Sequence, residues 1–375
     1  MENERKIRVL MVEHHSPGSL YVLELGRQLK RDCDITVFCK ADTRLSEPGM
    51  TWLPQFYPGG KGKIGSILAY GRTLLRLGRL IRKGRFDVLH IQSFKNAAVE
   101  MKLYAALRRY VRQLVMTVHN VLPHEPAPGD QALYGAFYRR CDLLIVHNEA
   151  SKRELQRLFA IPDEKIAVIA HGAYQTYALD KPRRAEAGRT RFLLFGRIRP
   201  YKGIDILLKA ISLLDEETRS KCLFTIRGKQ YPKIDPTDYP ALIRQYGIGD
   251  CVCFSAQRVP DEEIPALLGD ADIAVFPYRK IYGSGALLMA YTYGVPVIAS
   301  DIPTFREETD GGQTGLLFAP EDPAALRDAI LAAVQWDEKQ IDRYRQHIRR
   351  LVSERYSWNE SARKTAEAYR KAGTP

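Results

Sequence analysis

The sequence predicts an α/β protein made of two doubly wound, parallel-sheet units. Three observations predict it. Short apolar strands alternate with helical segments in two successive series, a charged, proline-containing break at 179–190 (LDKPRRAEAGRT, starting at Leu179) separates them, and polar, chemistry-bearing residues collect where the strands end. With 375 residues and 45% apolar content, the chain can build two cores.

The first series reads KIRVLMVEH, CDITVFCK, FDVLHIQ, QLVMTVHN, CDLLIVHN and KIAVIAHG as strands, with helical segments between most of them. Parallel neighbours need crossover connections, so this alternation means a parallel sheet covered by helices on both faces. The second series reads RFLLFG, KCLFTIRG, CVCFSA, ADIAVFPY and VPVIASD, and RYSWNESARKTAEAYRKA reads as a last helix. The expected domains are 1–178, a linker at 179–190, and 191–354. The helix over 355–373 is able to pack back on the first domain.

In an open parallel sheet the carboxyl ends of the strands line the ligand crevice. His15, His90, Gln92, His119, Asn120, His147, Asn148 and His171 all follow apolar runs of the first series, and seven of the eight histidines precede the linker. Taken singly, each His is more often a hydrogen-bonded structural residue than a catalyst; spread over five strand ends, they point to a site.

The net charge of +13 is uneven: the first 180 residues hold 27 basic against 18 acidic residues, the remainder 30 against 26. Within the first part, 61–85 (KGKIGSILAYGRTLLRLGRLIRKGR) carries eight basic residues and no acid, interleaved with Ile64, Ile67, Leu68, Leu74, Leu75, Leu77, Leu80 and Ile81. A basic amphipathic helix of this kind suits an anionic membrane surface, as does KLYAALRRYVRQL at 102–114. Two surface helices packing their apolar sides on a sheet are the alternative. No nucleic-acid-binding motif accompanies the charge, so no nucleic-acid partner is expected. No apolar run is long enough to span a bilayer and no signal-peptide pattern opens the chain, so the expected location is cytoplasmic, peripheral at the inner membrane face. The six cysteines lack zinc spacing and read as reduced core thiols, with Cys251 and Cys253 on one face of a strand.

The stretch 195–211, FGRIRPYKGIDILLKAI, puts Arg197 and Lys202 in the turn between an apolar strand and an amphipathic helix, where anions bind. At 283–288, GSGALL, the small residues Gly283, Ser284, Gly285 and Ala286 open a helix running to about Tyr293, whose first N–H groups can cradle phosphate.

These segments, with the IRG strand end, ADIAVFPY, GSGALLMAYTYGVPVIASDIPTFREE and GLLFAPEDPAALRDAI, resemble the C-terminal domain of the group 1 glycosyltransferases. HHSPGS, DVLHIQ, TVHNVLPHE and LIVHNEASKREL resemble their N-terminal domain more loosely. The resemblance implies the GT-B architecture, two Rossmann-like domains facing a central cleft. It implies that Arg197 and Lys202 bind the diphosphate of a nucleotide-sugar co-substrate, UDP- or GDP-linked, with no other cofactor. Gly228, Tyr282, Ser284, Gly285, Ala286 and Glu307 complete that donor side, and Ser16, Gly18, His90, His147 and His171 line the acceptor side or cleft. No metal is expected, because the DxD string Asp270–Asp272 stands at a helix-to-strand junction where capping and packing explain it.

Typical members of the family carry two glutamates eight positions apart in the donor segment; the matching positions here are Ile281 and Met289. That departure opens two mechanisms. An inverting enzyme needs a general base, for which HNVLPHE offers His119 at the strand end and Glu125 beyond it. A retaining enzyme passes the acceptor proton to the departing phosphate, and His119 then binds sugar. The expected activity is a hexosyltransferase acting on a lipid-linked or polysaccharide acceptor at the cytoplasmic membrane face. A sugar-nucleotide epimerase or hydrolase, or a non-catalytic sugar-nucleotide-binding protein, is the alternative.

Overall fold

A computed structural model of the chain describes residues 5–14, 19–41, 45–56, 62–174 and 188–371; Ser16, Gly18 and most of the expected linker lie outside them. The chain divides into two units, Met1–Gly172 with Tyr356–Pro375, and Ala173–Arg355.

The first unit runs β1 (Ile7–Glu13), α1 (Ser19–Leu29), β2 (Cys33–Lys40), β3 (Thr51–Phe56), α2 (Gly62–Gly84), β4 (Val88–Ile91), α3 (Ala97–Leu107), β5 (Gln113–Thr117), α4 (Asp130–Arg140), β6 (Leu143–Val146), α5 (Glu149–Phe159) and β7 (Ile166–Val168). Its sheet has the order β3-β2-β1-β4-β5-β6-β7 with every pair parallel. Every residue of β4, β5 and β6 is buried, which is why these strands read as unbroken apolar runs instead of alternating ones. The edge strand β3 (TWLPQF) was not among the expected strands. It contains Pro54, and an edge is where a strand tolerates proline's missing N–H. The stretch 102–114 is not one helix. The amides of Arg112 and Gln113 donate to the Asp87 carbonyl (2.9 and 3.0 Å), which draws the chain into the ladder of β5.

The second unit runs β8 (Thr190–Phe195), α6 (Ile204–Ser212), α7 (Glu216–Ser220), β9 (Cys222–Arg227), α8 (Tyr239–Gln245), β10 (Val252–Ser255), α9 (Ile264–Gly269), β11 (Ile273–Phe276), α10 (Gly285–Thr292), β12 (Val297–Ser300), α11 (Pro303–Glu308), β13 (Gly315–Phe318), α12 (Pro323–Val334) and α13 (Glu338–Glu354). Its strand order is β10-β9-β8-β11-β12-β13, again all parallel. Cys253 departs from expectation: it is exposed on the edge strand β10, whereas the other five cysteines are buried. The last helix, α14 (Trp358–Lys371), belongs to the first unit. Its Trp358, Ala362, Ala366 and Tyr369 share a core with Tyr21, Val22, Leu25 and Leu29 of α1.

Each sheet reverses its strand order once, between β1 and β4 and between β8 and β11. At such a reversal the loops leaving the two strands turn to opposite faces and open a crevice beyond the carboxyl ends.

Candidate functional site

In the second unit, the residues singled out for anion binding flank that crevice. The turn after β8 carries Arg197 and Lys202, and the loop after β11 leads through Tyr278 and Tyr282 to Ser284 and α10. Gly203, at the start of α6, has φ +65°, and a Cβ there would stand 2.0 Å from the Pro277 carbonyl oxygen, so only glycine lets the turn pass the end of β11. Gly228 has a similar reason to be small. A Cβ would stand 1.7 Å from the Gly196 carbonyl oxygen, where the ends of β8 and β9 meet.

Lys202 is 5% exposed. Its ammonium donates to the Phe195 carbonyl (3.1 Å) and lies 5.1 Å from the centre of the Tyr278 ring. Burial first, and then the Arg197 charge, brings Lys202 down to about 7. Arg197 itself is exposed. Among the described residues neither cation has a carboxylate partner, whereas the nearby Arg279 is bound by Asp205 and Glu321. A buried ammonium without a counter-ion is costly, and two cations without a carboxylate partner beside a crevice can seat an anion.

On the other side of the seat, Ser284 caps α10, its Oγ accepting from the Leu287 amide (3.2 Å). Gly285 stands against Tyr174, whose hydroxyl would be 3.2 Å from a Cβ there, and Ala286 is half-buried. Ile281 and Tyr282 are buried. The Ile281 carbonyl accepts from the Thr304 hydroxyl (2.7 Å), and Lys280 sits 5.1 Å from the Tyr282 ring centre. Met289 is half-buried on α10, so neither of the two expected glutamate positions presents an acceptor. Glu307 accepts from Arg355 Nη2 (2.8 Å), tying α11 to the end of α13. Asp272 accepts from the Arg191 amide (2.7 Å) and Asp270 ends α9. Among the described residues no group of three His, Cys, Asp or Glu side chains could hold a metal ion.

In the first unit the histidines converge across three strand ends. His119 follows β5, His147 follows β6 and His171 lies beyond β7. His147 Nε2 is 3.0 Å from His119 Nδ1, and the ring centres of His147 and His171 are 5.4 Å apart. Tyr21 of α1 lies among them, its ring centre 4.8, 5.5 and 5.0 Å from those of His119, His147 and His171, with Trp358 of α14 at 5.3 Å. Burial pushes His147 down to about 4 and His171 to about 3, so both are neutral at ordinary pH. His119 is half-buried at the rim.

His90 does not reach a surface. It is fully buried in β4, bonded to the Tyr369 hydroxyl (2.6 Å) and the Thr117 hydroxyl (2.7 Å), and desolvation holds it down to about 3. It meets the cluster through Gln92, whose side chain lies 3.1 Å from His90 Nε2 and 3.3 Å from His119 Nε2. Asn148 is likewise structural, capping α5 through the Ser151 amide (2.8 Å). Glu125 is exposed on the segment between β5 and α4. Tyr21 and Trp358 had escaped the sequence reading, because an aromatic on an amphipathic helix reads as ordinary core.

Residues 189–335 match the family model for glycosyl transferases group 1, and residues 18–173 match that for glycosyltransferase family 4. D-inositol 3-phosphate glycosyltransferase 2 of Catenulispora acidiphila is 24% identical, over 97% of this chain and 94% of that one. Among solved structures, Alr3699/HepE of Anabaena, in complex with UDP and glucose, superposes with a TM-score of 0.78 at 16% identity, covering 97% of this chain and 100% of that one. WaaG, a glycosyltransferase involved in lipopolysaccharide biosynthesis, superposes with a TM-score of 0.68 at 14% identity, covering 96% and 99%.

Proposed function

The chain is a group 1 glycosyltransferase of GT-B fold, and on that premise we propose that it transfers a hexose from a UDP-sugar to a lipid-linked or polysaccharide acceptor at the cytoplasmic face of a membrane, with inversion. The observation that carries the donor assignment is the pair Lys202 and Arg197, unpaired by any carboxylate among the described residues and set at a strand-order reversal. As the glycosidic bond to the diphosphate breaks, charge grows on the terminal phosphate, so cations fixed there favour the transition state over the ground state. UDP is the nucleotide bound in the Anabaena neighbour.

His119 is the base. The acceptor hydroxyl passes its proton to His119 Nε2 as its oxygen bonds to the anomeric carbon, and the electron pair of the breaking bond leaves with UDP. The apolar residues at 281 and 289 support this over the retaining route, since both positions lack a polar group to set beside the sugar or ribose.

The membrane assignment rests on α2, where Ile64, Ile67, Leu68 and Leu75 are 76, 70, 55 and 60% exposed among basic residues. No described helix is long and apolar enough to cross a bilayer. A soluble polyol-phosphate acceptor is the second reading, favoured by the name of the Catenulispora relative.

Release of UDP from UDP-glucose, followed with D-inositol 3-phosphate, with a lipid-linked saccharide and without acceptor, tests the assignment. Release only with the lipid-linked saccharide, giving a β-linked product by NMR, is expected. Release without any acceptor identifies a hydrolase, and binding without turnover a binding protein.

A further inference from the structure

The connections from β3 to β4, β4 to β5 and β5 to β6 all run the same way across the first sheet, so right-handed crossovers lay α2, α3 and α4 on one face of it. Between α3 and α4 runs an open groove of about 370 Å³, within the size range of ligand pockets, lined by Met101, Ala105, Ala106, Leu133, Ala136 and Phe137. It exists because small residues meet there. Ala105 and Ala106 of α3 and Ala136 of α4 have no side chain to reach across, and Phe137 is buried edge-on against Phe94, with ring centres 5.5 Å apart, so it does not swing in.

The remaining lining residues, Lys102 and Arg140, are exposed, and among the described residues neither enters an ion pair. The layer around them has one sign. Helices α2, α3 and α4 carry nine basic residues against two acidic ones, Glu100 and Asp130, and both acids are engaged within the fold. Glu100 is buried, accepting from the Tyr70 hydroxyl of α2 (2.5 Å) and lying 2.8 Å from His14 Nε2; Asp130 accepts from the Ala127 amide (2.8 Å). The bond from Tyr70 to Glu100 also ties α2 to α3, so the exposed apolar residues of α2 and the groove belong to one surface.

We propose that the α3–α4 groove is a lipid site, holding one acyl chain of an anionic membrane phospholipid whose phosphate pairs with Lys102 or Arg140. The reading of α2 as membrane-docked supplies the source of the lipid; the site itself rests on the groove. Its six apolar lining residues offer no side-chain partner for a sugar's hydroxyl groups, whereas an alkyl chain needs none. Its cations select an anionic headgroup. A second copy of this face would set like charges against each other, which is costly.

Calorimetric titration of the full-length protein with octyl, decyl and dodecyl phosphate, each kept below its micelle concentration, separates a groove from a general surface. Binding is expected to tighten about fourfold for each methylene that enters the groove and to level off when it is full. Inorganic phosphate should not compete at concentrations that saturate the alkyl phosphate. Ala106→Leu with Ala136→Leu fills the groove from two exposed helical positions with a good helix former, so the fold should hold and dodecyl phosphate should bind at least about tenfold more weakly. Lys102→Gln with Arg140→Gln should keep the dependence on chain length and lose the preference for dodecyl phosphate over dodecyl maltoside. Affinity independent of chain length overturns the proposal, as does undiminished binding to the folded, filled variant. Self-association of the parent that the filled variant loses would assign the groove to a second copy and also overturn it. Alkyl phosphate binding in a protein that ignores anionic vesicles upholds the groove and overturns the docking role of α2; vesicle binding without alkyl phosphate binding does the reverse.

Discussion

Lys202 joins sequence to function through one displaced equilibrium. Its ammonium is buried, bonded to a main-chain carbonyl and next to another cation, so it titrates near about 7. The sign of the consequence follows from proton counting. Between about 7 and the ordinary lysine value the unfolded chain holds a proton that the folded chain lacks, so this group makes the protein more stable as pH rises through that window. A diphosphate bound at the proposed seat would do the opposite by restoring the proton on Lys202. Calorimetric titration should therefore show UDP affinity falling above pH 7, by up to about tenfold per pH unit, with proton uptake on binding. Affinity that is flat from pH 7 to 9 would contradict this. Lys202→Met should raise the melting temperature while weakening UDP binding, since it removes a buried charge at similar volume. His119→Gln keeps a hydrogen-bonding side chain but cannot take the proton, so kcat should drop by roughly 10²–10⁴-fold while UDP affinity holds. A mostly active His119→Gln enzyme giving an α-linked product from an α-linked donor would remove the base assignment.

Among the elements, α2 stands out because its apolar residues are on the outside. Half of the eight apolar residues of its stripe, Ile64, Ile67, Leu68 and Leu75, are exposed, whereas Leu74 and Leu80 are half-buried and Leu77 and Ile81 buried. That favours the membrane reading over the ordinary surface helix. Sedimentation should show the protein on anionic vesicles and not on neutral ones. Salt should release it, because each cation near such a surface contributes on the order of 1 kcal/mol and is screened. Replacing Ile64, Ile67 and Leu68 by serine should abolish binding without lowering the melting temperature. Equal binding to neutral vesicles, or none to either, would contradict the role of α2. Other elements were legible to different degrees. The buried central strands announced themselves as apolar runs. β3 was disguised by its proline, and β13, with the four residues GLLF, is too short for a period to show.

For the whole chain, the sequence carried the architecture because two series of strands and crossover helices leave few solutions other than two parallel sheets. The residues proposed to seat an anion could be named from the sequence, since Arg197, Lys202 and the 283–288 turn each sit within one local motif. The histidine cluster was legible only in outline. Strand ends could be read, but the path from Ile169 through His147 to His119, the packing of Tyr21 and the return of Trp358 from the far end of the chain join residues distant in sequence. Burial changed two readings: His90 lies within β4, clamped by Tyr369 and Thr117, and Asn148 caps α5. Glycosyl transfer from a nucleotide sugar stands or falls with the anion seat, and its most direct test is a calorimetric titration of UDP into the parent, Lys202→Ala and Arg197→Ala proteins at pH 7. Each lost contact is predicted to weaken binding by roughly 1.5–3 kcal/mol, about ten- to a hundredfold in Kd, with folding intact; two folded variants that bind UDP as tightly as the parent would contradict it.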